Sequence, residues 1–141
     1  GIPLLVTTTV SGTFAIRPAP GDPAGEAFLL HQRVSFESVY TNPANGRWVR
    51  EYGHSTLREM RGTLVEGTVY RFDVQETGVP YVLETSSHRV LLRDSGVVRW
   101  HALWDTLGDG VPGALKLTDD EVDLVAGRHP SWGADTCALA L

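Results

Sequence analysis

The chain has only one cysteine, one lysine and no long apolar run among its 141 residues. The single Cys137 excludes an intrachain disulfide and any metal site made of several thiolates, and its small apolar neighbours predict a buried, inert thiol. No segment approaches the roughly 20 apolar residues of a membrane-spanning helix, so we expect no membrane partner. Acidic residues outnumber basic ones by 17 to 12, and the net charge of −5 argues against nucleic acid as the main partner.

Most motifs that would identify an enzyme are missing as well. There is no Gly-x-Ser-x-Gly elbow, no Gly-x-Gly-x-x-Gly sequence and no phosphate loop. The start of a calcium loop is suggested at 105–110, but Lys116 stands where such a loop needs a glutamate. The five histidines lack the local spacing of a metal site, although a zinc site from separate strands would draw on His54 and His88. We therefore expect no metal and no cofactor.

What the chain does have is hydrophobic alternation with a period of two residues. Long alternating runs are separated by short turns such as Asn45-Gly46, and no convincing amphipathic helix precedes residue 117. This pattern predicts a single all-β domain over 1–141, an antiparallel up-and-down β-barrel of about eight strands, with a β-sandwich as the alternative. Near the end, Thr118 to Glu121 has the spacing of a capping box that would start a short C-terminal helix. We favour a last strand over Glu121 to Ala126, because a closed barrel needs an even count.

The candidate site follows from the hypothesis that the even positions from Trp48 to Trp104 face the barrel interior. Such an interior combines aromatic walls with a few polar groups, which is the usual lining of a small-molecule site. The predicted ligand-binding residues are Trp48, Arg50, Tyr52, Phe72, Trp100 and Trp104; the predicted catalytic residues are His54, Tyr70, Glu84 and His88. In this interior Arg50 needs a partner, which would be Glu66, Glu84 or an anionic group of a ligand. The opposite orientation of the strands would expose the tryptophans and indicate association with a partner or a homodimer.

Several turn sequences look like those of a group of small, often exported actinobacterial β-proteins. They are Thr-Asn-Pro-Ala-Asn-Gly-Arg-Trp at 41–48, Gly53-His54, Trp-Asp-Thr-Leu-Gly-Asp-Gly-Val-Pro-Gly at 104–113 and Val-Ala-Gly-Arg-His-Pro at 125–130. The resemblance implies a secreted protein whose precursor carries an export signal; without it, a cytoplasmic location is the alternative. The predicted architecture is also similar to calycin-type barrels, both lipocalin-like carriers and allene-oxide-cyclase-like barrels. No catalytic motif of either group maps onto residues of this chain.

Three functional hypotheses follow. The first is a barrel that binds a small, partly apolar molecule in its cavity. The second is a cofactor-independent cyclase or isomerase that confines a reactive natural-product intermediate, with acid–base help from the predicted catalytic residues. The third is a structural or interaction module that uses outward tryptophans. The aromatic and polar face makes the first hypothesis the preferred one.

Overall fold

A computed structural model describes residues 3–136 and contains eight antiparallel β-strands. They are β1 (Leu5–Pro18), β2 (Phe28–Thr41), β3 (Trp48–Glu66), β4 (Val69–Thr85), β5 (Val90–Arg93), β6 (Ser95–Asp105), β7 (Leu115–Lys116) and β8 (Glu121–Arg128). The all-β prediction is confirmed, and the segment that begins at Glu121 is a strand rather than a helix. The prediction of a buried thiol concerns Cys137, which lies outside the described residues.

All strands belong to one sheet that curls into a half-barrel. Strands β1 to β4 follow one another as a meander, which is the up-and-down order predicted from the short turns. The far edge of β4 is shared by β6 and the short β5, and the far edge of β6 is shared by β7 and β8. Within the described residues β1 pairs only with β2, and β8 pairs only with β6, so these pairings leave the sheet open.

The two faces of the sheet can be followed from strand to strand because paired residues point to the same side. We define the pocket face as the one that carries Glu51, Glu76 and Val98, and call the other the opposite face. A β-bulge in β4 lies between the pairs Tyr52–Val82 and His54–Val79. Three residues of β4 thereby span two residues of β3, so the even positions of β4 change face at the bulge.

The loop between β1 and β2 forms the main core together with the start of β4. Ala19, Ala27 and Leu29 pack against Tyr70 and Phe72, and Trp104 covers the edge of this cluster. The loop is held in place by the Asp22 carboxylate, which accepts hydrogen bonds from the backbone N–H groups of residues 24, 26 and 27. It also accepts one from the phenol of Tyr70 at 2.9 Å. The core is therefore built by a loop that caps one end of the sheet.

Candidate functional site

The predicted site residues do not share one face, so the expectation of a single inward face is wrong. The bulge in β4 separates Glu84 from Tyr70 and Phe72, although all three are even positions. The opposite face carries Trp48, Arg50, Tyr52, His54 and Glu84, with His88 hydrogen-bonded beside them; the pocket face carries Tyr70, Phe72, Trp100 and Trp104. The ten predicted residues therefore do not form a single site.

On the opposite face, Arg50 is the centre of a charged and aromatic cluster. Its guanidinium lies 4.7 Å from the centre of the Tyr52 ring and 5.9 Å from that of Trp48. It forms ion pairs with Glu84 at 2.9 Å and with Glu37 at 3.2 Å. Of the partners considered for Arg50 from the sequence, Glu84 is the one that the structure provides.

The predicted catalytic residues in this cluster are engaged with one another. The buried Glu84 accepts one hydrogen bond from Arg50 and forms another, 2.8 Å long, with the Nδ1 atom of His88. These two hydrogen bonds hold the pKa of Glu84 below its usual value, and the bond to Glu84 raises the pKa of Arg50. His54 is exposed on β3 and forms no hydrogen bond or ion pair with the residues that the structure describes. The cluster is thus an ion-pair network on the sheet surface, in which the buried Nε of Arg50 has no hydrogen-bond partner among the described residues.

On the pocket face, three of the predicted residues belong to the core rather than to a cavity wall. Tyr70 and Phe72 are buried beneath the β1–β2 loop, and Trp104 packs against them. Burial and the hydrogen bond to Asp22 raise the pKa of Tyr70 to about 12. The phenol therefore acts as a hydrogen-bond donor that anchors the loop, and it does not line the cavity.

A cavity of about 570 Å³ lies on the pocket face, beneath the segment that follows β8. We call residues 129–136 the C-terminal segment. Its apolar walls are Pro80, Tyr81, Val98, Trp100, Val122 and Trp132; its polar lining is Glu51, Glu76, Asp94, Asp120, His129, Ser131 and Thr136. The volume lies within the range of pockets that take a small organic molecule. Of the ten predicted site residues, Trp100 is the one that lines it.

The C-terminal segment is tied to the sheet by the buried carboxylate of Asp94. One oxygen of Asp94 accepts a hydrogen bond from the backbone N–H of Ser131 at 3.0 Å, and the other accepts one from the Ser131 hydroxyl. Within the segment, the rings of His129 and Trp132 are in tilted contact, with their centres 5.0 Å apart. Both ring nitrogens of His129 are buried and have no hydrogen-bond partner among the described residues. His129 and Trp132 both line the cavity.

The carboxylates that line the cavity differ in their hydrogen-bond and ion-pair partners. Glu51 accepts hydrogen bonds from the phenols of Tyr40 at 3.0 Å and Tyr81 at 2.7 Å. Burial and the hydrogen bond to Glu51 raise the pKa of Tyr81. Asp120 forms an ion pair with Lys116 at 2.7 Å. With Asp94, which accepts hydrogen bonds from Ser131, three of the four acids in the lining therefore have a hydrogen-bond donor or a cation as a partner.

Glu76 is the exception. It lies on β4 between Leu57 of β3 and Val98 of β6, so its pocket-face neighbours across the strands are apolar. Among residues 3–136 its carboxylate has neither a hydrogen bond nor an ion pair. The described lining contains no lysine or arginine. A molecule that enters the cavity would therefore meet the Glu76 carboxylate, which has no counterion among the described residues.

Sequence reasoning missed Glu76 and Trp132 for identifiable reasons. The turn predicted at 75–80 placed Glu76 outside any strand, whereas β4 continues through it to Thr85. Alternation alone would have put Glu76 on the same face as Tyr70 and Phe72. Trp132 lies beyond the last strand, so no periodicity could assign it to a face.

Among the described residues, no group of three or more His, Cys, Asp or Glu side chains is arranged to hold a metal ion. The same part of the chain has no helix long and apolar enough to cross a membrane. Comparison with family models, curated proteins and solved structures yields no match. Functional inference therefore depends on the geometry of the cavity.

Proposed function

We propose that the protein binds a small, partly apolar molecule that carries a positive charge, in the cavity beneath the C-terminal segment. The observation that carries this proposal is the unpaired carboxylate of Glu76 in a wall of aromatic and aliphatic side chains. An apolar body would be held by Val98, Trp100 and Val122, and the cation by Glu76.

The choice of a cation follows from the charge of the lining. Four acids and no lysine or arginine among the described lining residues would repel a carboxylate or phosphate group. An ammonium group that meets Glu76 forms a charge-assisted hydrogen bond, and the faces of Trp100 and Trp132 attract cations through their π systems. A neutral molecule of the same shape would gain the apolar contacts and lose both electrostatic contributions.

Three probes of similar size separate these contributions: 2-phenylethylamine, 2-phenylethanol and 3-phenylpropionate. Two of the four tryptophans of the chain, Trp100 and Trp132, line the cavity, so binding is expected to change the intrinsic fluorescence. We expect the amine to bind at least ten times more tightly than the alcohol, a difference of about 1.4 kcal/mol, and the carboxylate to bind weakest.

The variant Glu76→Gln tests the assigned role of the carboxylate. It is expected to weaken binding of the amine about tenfold and to leave binding of the alcohol unchanged, because the shape of the cavity is kept. Glu66→Gln is the matched control, since it removes the same charge from an exposed position at the end of β3. Equal loss of amine affinity in both variants, or equal binding of all three probes to the native protein, would contradict the proposal.

A further inference from the structure

Among residues 3–136, no strand covers the outer edge of the first strand. β1 pairs with β2 over 14 residues, and no described strand pairs with its other side. All 14 residues are exposed. Such an edge presents a row of backbone N–H and C=O groups that can pair with another strand.

Most of β1 lacks the features with which proteins block such pairing. From Leu4 to Ile16 there is no charged residue and no proline; Arg17 and Pro18 stand at the end of the strand. The run is rich in valine, threonine and isoleucine, which favour strand pairing. The other open edge differs, because β8 carries Glu121, Asp123 and Arg128. Charges of this kind discourage edge pairing, so the two open edges are not equivalent.

An apolar row on β1 adds to the open backbone. The even residues of β1 lie on the pocket face, since they pair with Tyr40, Phe36 and Gln32 of β2. Four of them are large and nearly half or more exposed: Val6 at 50%, Val10 at 64%, Phe14 at 73% and Ile16 at 46%. The row is interrupted by Thr8 and Gly12, but four large apolar side chains exposed along one strand indicate an interaction surface.

The chain exposes more surface than an average folded monomer of its mass. The exposed area is 8889 Å², whereas a folded monomer of 15.4 kDa exposes about 7,200 Å². The excess of about 1,700 Å² is about twice what one partner contributes to an interface of standard size. A stable dimer therefore has enough surface to bury.

We propose that the occupant of the β1 edge is a second copy of this chain, whose own β1 pairs antiparallel to it across a twofold axis near Val10 and Ser11. An antiparallel strand paired with itself satisfies the open groups of both copies at once, as a twofold contact requires. Paired residues must share a face, so the axis through Val10 or Ser11 puts Val6 beside Phe14 or Ile16 of the other copy. The uncharged run also lets two chains of net charge −5 meet without placing like charges opposite each other.

The oligomeric state tests this proposal directly. Sedimentation equilibrium and light scattering of the full chain are expected to give twice the 15.4 kDa chain mass. Val10→Lys places a charge in the paired row and is expected to raise the dimer dissociation constant at least 100-fold. Val125→Lys is the matched control, because this valine on β8 is also exposed, at 45% against 64%, and does not line the cavity; this variant should remain dimeric.

A cysteine cross-link keeps the proposal testable if Val10→Lys fails to fold. In a Cys137→Ser background, the cysteine placed on the axis is expected to form a disulfide between copies on mild oxidation, because that residue faces its own copy: Ser11→Cys if the axis passes through Ser11, and Val10→Cys if it passes through Val10. Asp109→Cys, in the loop after β6, should not. A monomer at every concentration without this cross-link would overturn the proposal. A dimer that is dissociated by Val125→Lys but not by Val10→Lys would also overturn it, since that result would place the interface on β8.

Discussion

Replacing Tyr70 with phenylalanine removes one hydrogen bond from the core with little other change. Tyr70 is 1% exposed, and its hydroxyl donates to the Asp22 carboxylate at 2.9 Å. A hydrogen bond to a charged acceptor contributes about 1.5–3 kcal/mol. We expect the low end of this range, about 1.5 kcal/mol, because Asp22 keeps three backbone N–H donors in the variant.

The pH dependence of this effect has a defined sign at both ends. Burial raises the pKa of Asp22, but its hydrogen bonds outweigh burial and hold the pKa below its usual value. The stability that the carboxylate contributes is therefore present above the unfolded pKa of about 4 and is lost as the pH falls through the lower folded pKa. The pKa of Tyr70 is raised to about 12. Its contribution is complete below about pH 10 and is lost as the pH rises through the folded value.

Urea unfolding followed by circular dichroism and tryptophan fluorescence measures the difference between the native protein and Tyr70→Phe. We expect it to be largest between about pH 5 and pH 9 and to shrink on either side. Tyr52→Phe is the matched control, because Tyr52 contacts Arg50 with its ring face and its loss of a hydroxyl should cost less than about 0.5 kcal/mol. A Tyr70→Phe variant as stable as the native protein, or a difference independent of pH, would refute the role given to this bond.

Three further predictions concern the sheet and the C-terminal segment. Glu84→Gln should lower the free energy of unfolding by about 2 kcal/mol at neutral pH, because the one-third exposed Arg50 then keeps Glu37 as its remaining ion-pair partner. This loss of stability should vanish in acid, as the pH falls through the lowered pKa of Glu84. Gly53→Ala should destabilise by more than about 2 kcal/mol, since its Cβ would lie 2.3 Å from a backbone carbonyl oxygen of β4. Asp94→Ala should make the C-terminal segment more sensitive to limited proteolysis, because it removes both hydrogen bonds to Ser131.

Matched variants check each of these three predictions. Glu66→Gln should leave stability nearly unchanged, since its exposed side chain has no described ion pair. Ala44→Gly, at an exposed turn, should be far milder than Gly53→Ala. Asp109→Ala should not alter cleavage of the C-terminal segment. Equal effects in a variant and its control would contradict the contact assigned to that variant.

The fold class was predictable because alternation and turn chemistry are local signals. Period-two runs and pairs such as Asn45-Gly46 indicate antiparallel strands wherever they occur, and the meander from β1 to β4 confirms this. The interpretation of the segment from Glu121 as a strand was also correct, since Val122 and Leu124 alternate with polar residues. The resemblance to exported actinobacterial β-proteins stays a prediction.

The site was not predictable in the same way, because one extra residue in β4 reverses all later side-chain directions. Nothing in the local sequence shows that Glu84 and Phe72 fall on opposite faces; the pairing of β4 with β3 decides it. Asp22 and Tyr70 are 48 residues apart, and Asp94 and Ser131 are 37 apart, so their hydrogen bonds arise from tertiary structure alone. Of the ten predicted site residues, only Trp100 lines the cavity, and the carboxylate of Glu76 was not predicted.

The measurement that tests the central claim most directly is a crystal structure of the protein with 2-phenylethylamine bound. We expect the ring to lie in the cavity against Trp100 and Trp132, with the ammonium nitrogen about 3 Å from a carboxylate oxygen of Glu76. A structure with this cavity empty at saturating probe, or with the ammonium directed away from Glu76, would contradict the account.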